Sequence, residues 1–273
     1  MTTEALLHHR YGGAPTGAAA LPAPNAVLET LLGHRSTRAF RPDPLPPGTL
    51  ELLVAAAQSA PTSSNLQAWS VVAVEDEGRR ARLSELAARQ GFIRQAPLFL
   101  CWVADLSRLH RLGEANGKRL EGLDYLESFL VAVVDAALAA QNAVVAAESL
   151  GLGTVYVGAL RNHIDAVAAE LRLPPEAMAV FGLAVGHPDP AVATAVKPRL
   201  PQSLVLHRET YAAQEEAPAI AAYDAALAGF SEGQGMGPVA WTPRMLSRVA
   251  SGASLSGRDR LRELIQGLGF GLR

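Results

Sequence analysis

Between Leu126 and Leu150 the chain is almost wholly apolar, and the exceptions recur: Ser128, Asp135, Asn142 and Ser149 stand seven residues apart. At 3.6 residues per turn this draws one narrow polar stripe along a helix that is otherwise apolar all round, the pattern of a helix inside a core or between subunits. The segment is also long enough to cross a bilayer, roughly 37 Å at 1.5 Å per residue. Against that reading, Asp135, Gln141, Asn142 and Glu148 are costly in hydrocarbon, alanine dominates over leucine, and neither end carries a basic cluster or an aromatic belt. A buried core helix is expected, with a second subunit covering what its own chain leaves open. A helix wrapped entirely by its own chain is the alternative.

The same patterning predicts the remaining elements. Asn25 caps a short helix that stops at Gly33, and a second helix runs from Gly48 to Ser59. Buried strands are expected at Ser70 to Val74, Ala96 to Ala104, Thr154 to Val157 and Ala179 to Gly186, where β-branched and apolar residues run together. Charged or amphipathic helices fill Glu77 to Arg89 and Ile164 to Leu173, and Asp105 to Gly122 reads as a mobile polar connection. From Ser203 onward the pattern is helical, broken by a glycine-rich stretch at Gly233 to Pro238. Residues 1–24, rich in Ala, Gly and Pro, read as a loosely ordered arm, residues 25–202 as the core, and residues 203–273 as a helical excursion.

Composition narrows the function. A chain of 273 residues with 49% hydrophobic content buries a sizeable core. Its 24 basic and 26 acidic residues leave a net charge of -2, which sets up no general field for nucleic acid or an anionic membrane, so any anion site is local. His8, His9 and Arg10 interrupt the N-terminal segment where the apolar run of a signal peptide would lie, and a cytoplasmic protein is expected. The single cysteine, Cys101, sits in an apolar run and reads as core filler. The seven histidines are scattered without metal-ligand spacing, so no metal site is expected. Gly151 and Gly153 end a helix and precede a strand, the reverse of a dinucleotide fingerprint.

Candidate chemistry gathers in four places. His34-Arg35-Ser36-Thr37-Arg38 delivers two guanidiniums, an imidazole and two hydroxyls, suited to a phosphate or an electron-rich ring edge, or else to a solvated helix end. Thr62-Ser63-Ser64-Asn65-Leu66-Gln67 is a hydroxyl and amide loop that can meet ring carbonyls, or is simple turn chemistry. Gly158-Ala159 permits close backbone approach of a ligand. Lys197-Pro198-Arg199 adds two cations around a rigid proline. Sequence alone leaves open whether the two cation groups meet.

In order and spacing, HRSTRAF, the TSSNLQ loop, Gln90, VVDAALAAQNAVVAAESLGLG, YVGALRN, FGLAVGHP and KPRLP resemble the nitroreductase superfamily, in its oxygen-insensitive NADPH nitroreductase and NADPH:FMN oxidoreductase branch. The resemblance implies an α+β nitroreductase-like fold, a mixed central sheet flanked by helices, and a homodimer packed through the long helix. It also implies FMN as cofactor and NADPH or NADH as reductant. His34, Arg35 and Ser36 match the phosphate and ribityl side, and Lys197 and Arg199 a phosphate clamp. Arg38 matches the cation near the pyrimidine edge. Thr62, Ser63, Ser64 and Gln67 match a loop near the flavin, Gln90 an amide on the ring, and Tyr156, Val157, Gly158 and Ala159 the loop along the isoalloxazine. The implied function is hydride transfer from NAD(P)H to a nitroaromatic, quinone or free flavin, with no catalytic side chain required because the flavin carries the chemistry. Ser231 to Ala240 lacks the arginines with which NADPH-preferring members hold the 2′-phosphate, leaving Arg244 and Arg248 as the nearest candidates. That departure also admits a flavin storage or delivery protein.

Overall fold

The computed structural model describes residues 1–13, 21–212 and 215–273. In chain order its longer elements are α1 (Thr3–Tyr11), α2 (Ala26–Leu32), α3 (Thr49–Gln58), β1 (Trp69–Val74), α4 (Glu77–Leu86), α5 (Phe92–Gln95), β2 (Leu98–Asp105), α6 (Ser107–Ala115), α7 (Leu126–Ser149), β3 (Gly153–Val157), α8 (Ile164–Leu171), β4 (Ala177–Gly186), α9 (Ala217–Gly233), α10 (Trp241–Arg248) and α11 (Leu261–Gly267). They divide into two compact units. One comprises Met1–Arg35 and Pro190–Leu255, the other Ser36–Asp189 and Ser256–Arg273.

The larger unit is built on a sheet of order β1-β2-β4-β3, with all three pairings antiparallel. A parallel bridge from Ser36 to Thr154 on the free edge of β3 makes it mixed. Central strand β2 is buried along its whole length and alternates between two cores. Leu98, Leu100, Trp102 and Ala104 join the alanines of α7 and residues of α3 on one face. Phe99 and Cys101 pack with Leu83, Leu160 and Val167 on the other, and burial pushes the Cys101 thiol pKa up. Phe99 lies so close to Gly182 that a Cβ there would come within 2.2 Å of its ring, so only glycine fits. The pairing of β2 with β4 shifts between Trp102 and Val103, leaving Val180 as the extra residue. The Arg161 guanidinium donates to the Val180 carbonyl at 2.5 Å, and burial lowers the pKa of that arginine.

Helix α7 spans Leu126–Ser149 as its pattern predicts, and Ser128, Asp135 and Asn142 of its heptad stripe reach other segments of its own chain, whereas Ser149 is exposed. Ser128 donates to the Gly122 carbonyl, Asn142 to the Ala56 carbonyl near the end of α3, and Ser149 to Ala146. Asp135, 1% exposed, accepts from the backbone of the segment between α3 and β1. By length and composition α7 passes as a membrane span, yet its alanines pack under the sheet as a core helix does.

Two expectations change. The polar stretch expected to be a mobile connection contains α6, whose first residue is anchored to the end of β2: Asp105 accepts the Ser107 backbone N–H at 3.1 Å and its hydroxyl at 2.5 Å. In the segment read as a loosely ordered arm, residues 14–20 lie outside the described residues, but Thr3–Tyr11 is helical. Thr2 caps that helix by accepting the Ala5 N–H, and Gly12 closes it in the left-handed conformation at φ 69°.

Candidate functional site

The smaller unit holds His34, Arg35, Lys197 and Arg199. The residue that connects them is Arg10, which sequence reasoning passed over because it lies in a segment of low-information composition. Arg10 is 7% exposed. Its Nη2 donates to the Leu32 carbonyl at 2.7 Å and the His34 carbonyl at 2.9 Å, and its Nη1 to the Lys197 carbonyl at 3.2 Å. Its own carbonyl accepts from the Arg199 N–H at 3.0 Å. The two cation-bearing segments thus share one brace. Tyr223 adds a hydrogen bond to the Pro198 carbonyl, and the Lys197 ammonium stands 5.9 Å from the centre of the Phe230 ring. Arg35 is exposed and has no hydrogen-bond or ion-pair partner among the described residues.

The larger unit holds the remaining predicted residues in three groups. Ser36 bridges to Thr154 and the Thr37 N–H donates to the Thr154 carbonyl at 2.9 Å, so the segment leading to Arg38 runs parallel to β3 toward Tyr156. This close edge requires glycine at 153, where a Cβ would meet Thr37 Oγ1 at 2.6 Å. Arg38 is exposed and unpartnered among the described residues. At the end of β3 the Tyr156 ring packs edge-on against Phe181 at 5.1 Å and its hydroxyl reaches Gln141 at 3.3 Å. Burial, then the nearby Glu148 carboxylate, raise its pKa. Val157 and Ala159 are buried core residues that offer only their backbone, whereas Gly158 is half-buried.

The second group is the Thr62 to Gln67 loop, whose conformation is forced. Ser64, Asn65 and Gln67 all hold positive φ, between 49° and 55°. Such backbone costs roughly 1 to 3 kcal/mol per residue and persists only when its surroundings over-determine it. Asp135 does so: one carboxylate oxygen accepts from the Ser63 N–H and the other from the Ala68 N–H, each at 3.2 Å, bracketing the strained turn. Arg108 further holds the Gln67 carbonyl at 3.1 Å. The side chains of Ser63, Ser64 and Gln67 remain exposed. Gln90 stands apart between α4 and α5; its carbonyl accepts from Ser84 and Ile93, and no hydrogen bond joins it to the other predicted residues.

Sequence analysis singled out Asp135 as a polar exception on a helix but not as a clamp, since its partners lie 72 and 67 residues away. A cavity of about 350 Å³ lined by His110, Glu114, Lys118, Arg119 and Asp124 contains none of the predicted residues.

The models of the Nitroreductase family and of its C-terminal domain match residues 31–187 and 197–273. The chain belongs to the nitroreductase family. It is 44% identical over 188 residues to an FMN reductase (NADPH) of Bacillus subtilis, covering 68% of this chain and 75% of that one. It is 40% identical over 205 residues to an oxygen-insensitive NADPH nitroreductase of Salmonella typhimurium, covering 75% and 82%. Among solved structures, a hypothetical oxidoreductase of Bacillus subtilis superposes with TM-score 0.86 at 37% identity, covering 92% of this chain and all of that one. The NADPH:FMN oxidoreductase of Vibrio harveyi complexed with NAD+ superposes with TM-score 0.80 at 31% identity, covering 91% and 100%. The nitroreductase fold expected from the motifs is therefore the fold observed.

Proposed function

We infer that this nitroreductase family member is an FMN-dependent NAD(P)H oxidoreductase that reduces nitroaromatics, quinones or free flavin. The observation that carries the reading is the similarity to an FMN reductase and an NADPH nitroreductase over 68% and 75% of the chain, together with the superposition of 91% of it on an NADPH:FMN oxidoreductase. The donor chemistry fits the cofactor. Exposed Arg35 and Arg38 lack partners among the described residues, exposed hydroxyls and an amide lie on a rigid loop, and a polar edge follows β3. FMN, when bound, supplies two-electron hydride chemistry between the nicotinamide and the oxidant.

The chain's own residues then bind, orient and polarise. In the smaller unit His34, Arg35, Lys197 and Arg199 are assigned to the phosphate, where several fixed cations favour a dianion. In the larger unit Ser36 is assigned to the ribityl side and Arg38 to the pyrimidine edge, where positive charge favours the reduced anionic ring. Thr62, Ser63, Ser64, Gln67 and Gln90 are assigned to hydrogen bonding with the ring, and Tyr156, Val157, Gly158 and Ala159 to the loop beside it. No side chain is assigned as acid, base or nucleophile. For the nicotinamide 2′-phosphate Arg244 is the better candidate: it is exposed and unpartnered among the described residues, whereas Arg248 donates to the Ser254 carbonyl.

A homodimer belongs to the same reading. One side of α7 leaves Leu126, Leu130, Val134 and Leu138 exposed at 45%, 49%, 53% and 41%, an apolar row at four-residue spacing that a second copy would cover. Use of NAD(P)H fits a cytoplasmic protein, and α7 is assigned to the dimer rather than to a membrane. The deciding experiment is the absorbance spectrum of the purified protein, followed by anaerobic titration with NADPH and, separately, NADH. The expected result is a flavin band that either nicotinamide bleaches and a nitroaromatic or quinone restores. A colourless protein that does not take up FMN would overturn the reading.

A further inference from the structure

We propose that Arg10, carried on an N-terminal helix that precedes the residues matched by the family models, is a positioning residue for the phosphate end of the cofactor. The inference rests on the FMN reading above and on geometry within the smaller unit alone. Three facts point to it. The Arg10 guanidinium is buried, and its fork joins the carbonyls of Leu32 and His34 to that of Lys197, segments far apart in sequence. The Arg10 backbone carbonyl accepts from Arg199, so the same residue holds the second cation segment through both side chain and main chain. The helix that presents it is fixed at both ends, by the Thr2 cap and by Gly12, where a Cβ would meet Ala226 at 3.2 Å and Pro198 at 3.5 Å.

Guanidinium chemistry explains why arginine stands here. The group stays charged at any physiological pH, and its planar fork satisfies several carbonyls at fixed angles, which a flexible ammonium does not. Arg10 therefore does two things at once. It locks the backbone at His34 and Lys197, pre-orienting His34, Arg35, Lys197 and Arg199, and it adds a permanent positive charge behind them. Both effects act on a bound phosphate and leave a neutral flavin almost untouched.

That asymmetry is the test. Dissociation constants for FMN and for riboflavin, which lacks the phosphate, are measured by flavin fluorescence on the full chain freed of flavin, for wild type, Arg10→Met and Arg10→Lys. With the fork and its charge removed, Arg10→Met should weaken FMN binding by about 10- to 100-fold while riboflavin binding shifts less than about threefold. Arg10→Lys, which keeps the charge and loses the fork, should fall between wild type and Arg10→Met and serves as the test if the methionine variant does not fold. An FMN-to-riboflavin preference equal to that of wild type in whichever variant folds would overturn the inference, because a merely structural brace weakens both ligands alike. Wild-type protein that binds neither flavin would instead overturn the underlying reading, and the inference with it.

Discussion

The two sides of α7 solve opposite problems. The inward side carries its polar residues to defined partners: Asp135 to the Ser63 and Ala68 amides, Asn142 to the end of α3. The outward side is simpler in chemistry and is left open by the described residues, with Leu126, Leu130, Val134 and Leu138 exposed. Polar groups inside a fold require named acceptors and donors, so they specify one arrangement, whereas an apolar row requires only area. The inward stripe thus fixes a loop to within a hydrogen bond, and the outward row calls for a second surface of matching shape.

The comparison breaks most sharply at Val134. Replacing it with aspartate sets an unpaired charge at the centre of the outward row, and the dissociation constant of the proposed dimer should rise by at least about a hundredfold, since stranding a buried charge costs about 3 to 5 kcal/mol. Analytical ultracentrifugation reads this directly, and an unchanged dimer would remove the row from the interface. The counterpart on the inward side is Asp135→Ala, which strips two N–H donors of a charged acceptor. A loss of about 3 kcal/mol is expected, together with faster hydrogen exchange at the Ser63 and Ala68 amides and unchanged self-association. Exchange at those amides equal to wild type would show that Asp135 does not hold the loop.

Smaller effects sharpen the same contrast. Asn142→Ala removes one neutral hydrogen bond to the Ala56 carbonyl and should cost about 1 kcal/mol in denaturant melts, with self-association again unaffected. The weakest prediction concerns the polar contact of α7 with β3. Burial and then Glu148 raise the Tyr156 pKa above its ordinary 10.0, so the folded state favours the neutral phenol. That contribution is fully present below pH 10 and is lost as pH rises from there through the folded value. The Tyr156→Phe variant should therefore show a shallower alkaline decline in stability than wild type, and parallel declines would refute the assignment.

How much of this was legible depends on distance along the chain. The heptad of Ser128, Asp135, Asn142 and Ser149 gave the long helix its limits and its polar stripe because helical periodicity is local. The partners of that stripe were hidden, since nothing near Asp135 announces a loop beginning 72 residues earlier. The strands declared themselves through buried apolar runs, but α6 did not, because its dense charges masked an amphipathic helix whose first turn Asp105 holds from the preceding strand. Arg35, Arg38, Lys197 and Arg199 stood out by chemistry and motif order. Arg10, surrounded by small residues and histidines, became visible only when its three carbonyl partners were placed around it.

One feature of the sheet bears on how the molecule can be handled. The sole thiol of the chain sits in the middle of β2, between α4 and α8 on its own face and strands on either side. Maleimide dyes should pass the folded protein by and react once per chain when it opens, so that the native cysteine serves as a built-in clock for global unfolding. A cysteine introduced on the surface would then be the single reactive handle, with no need to remove the original.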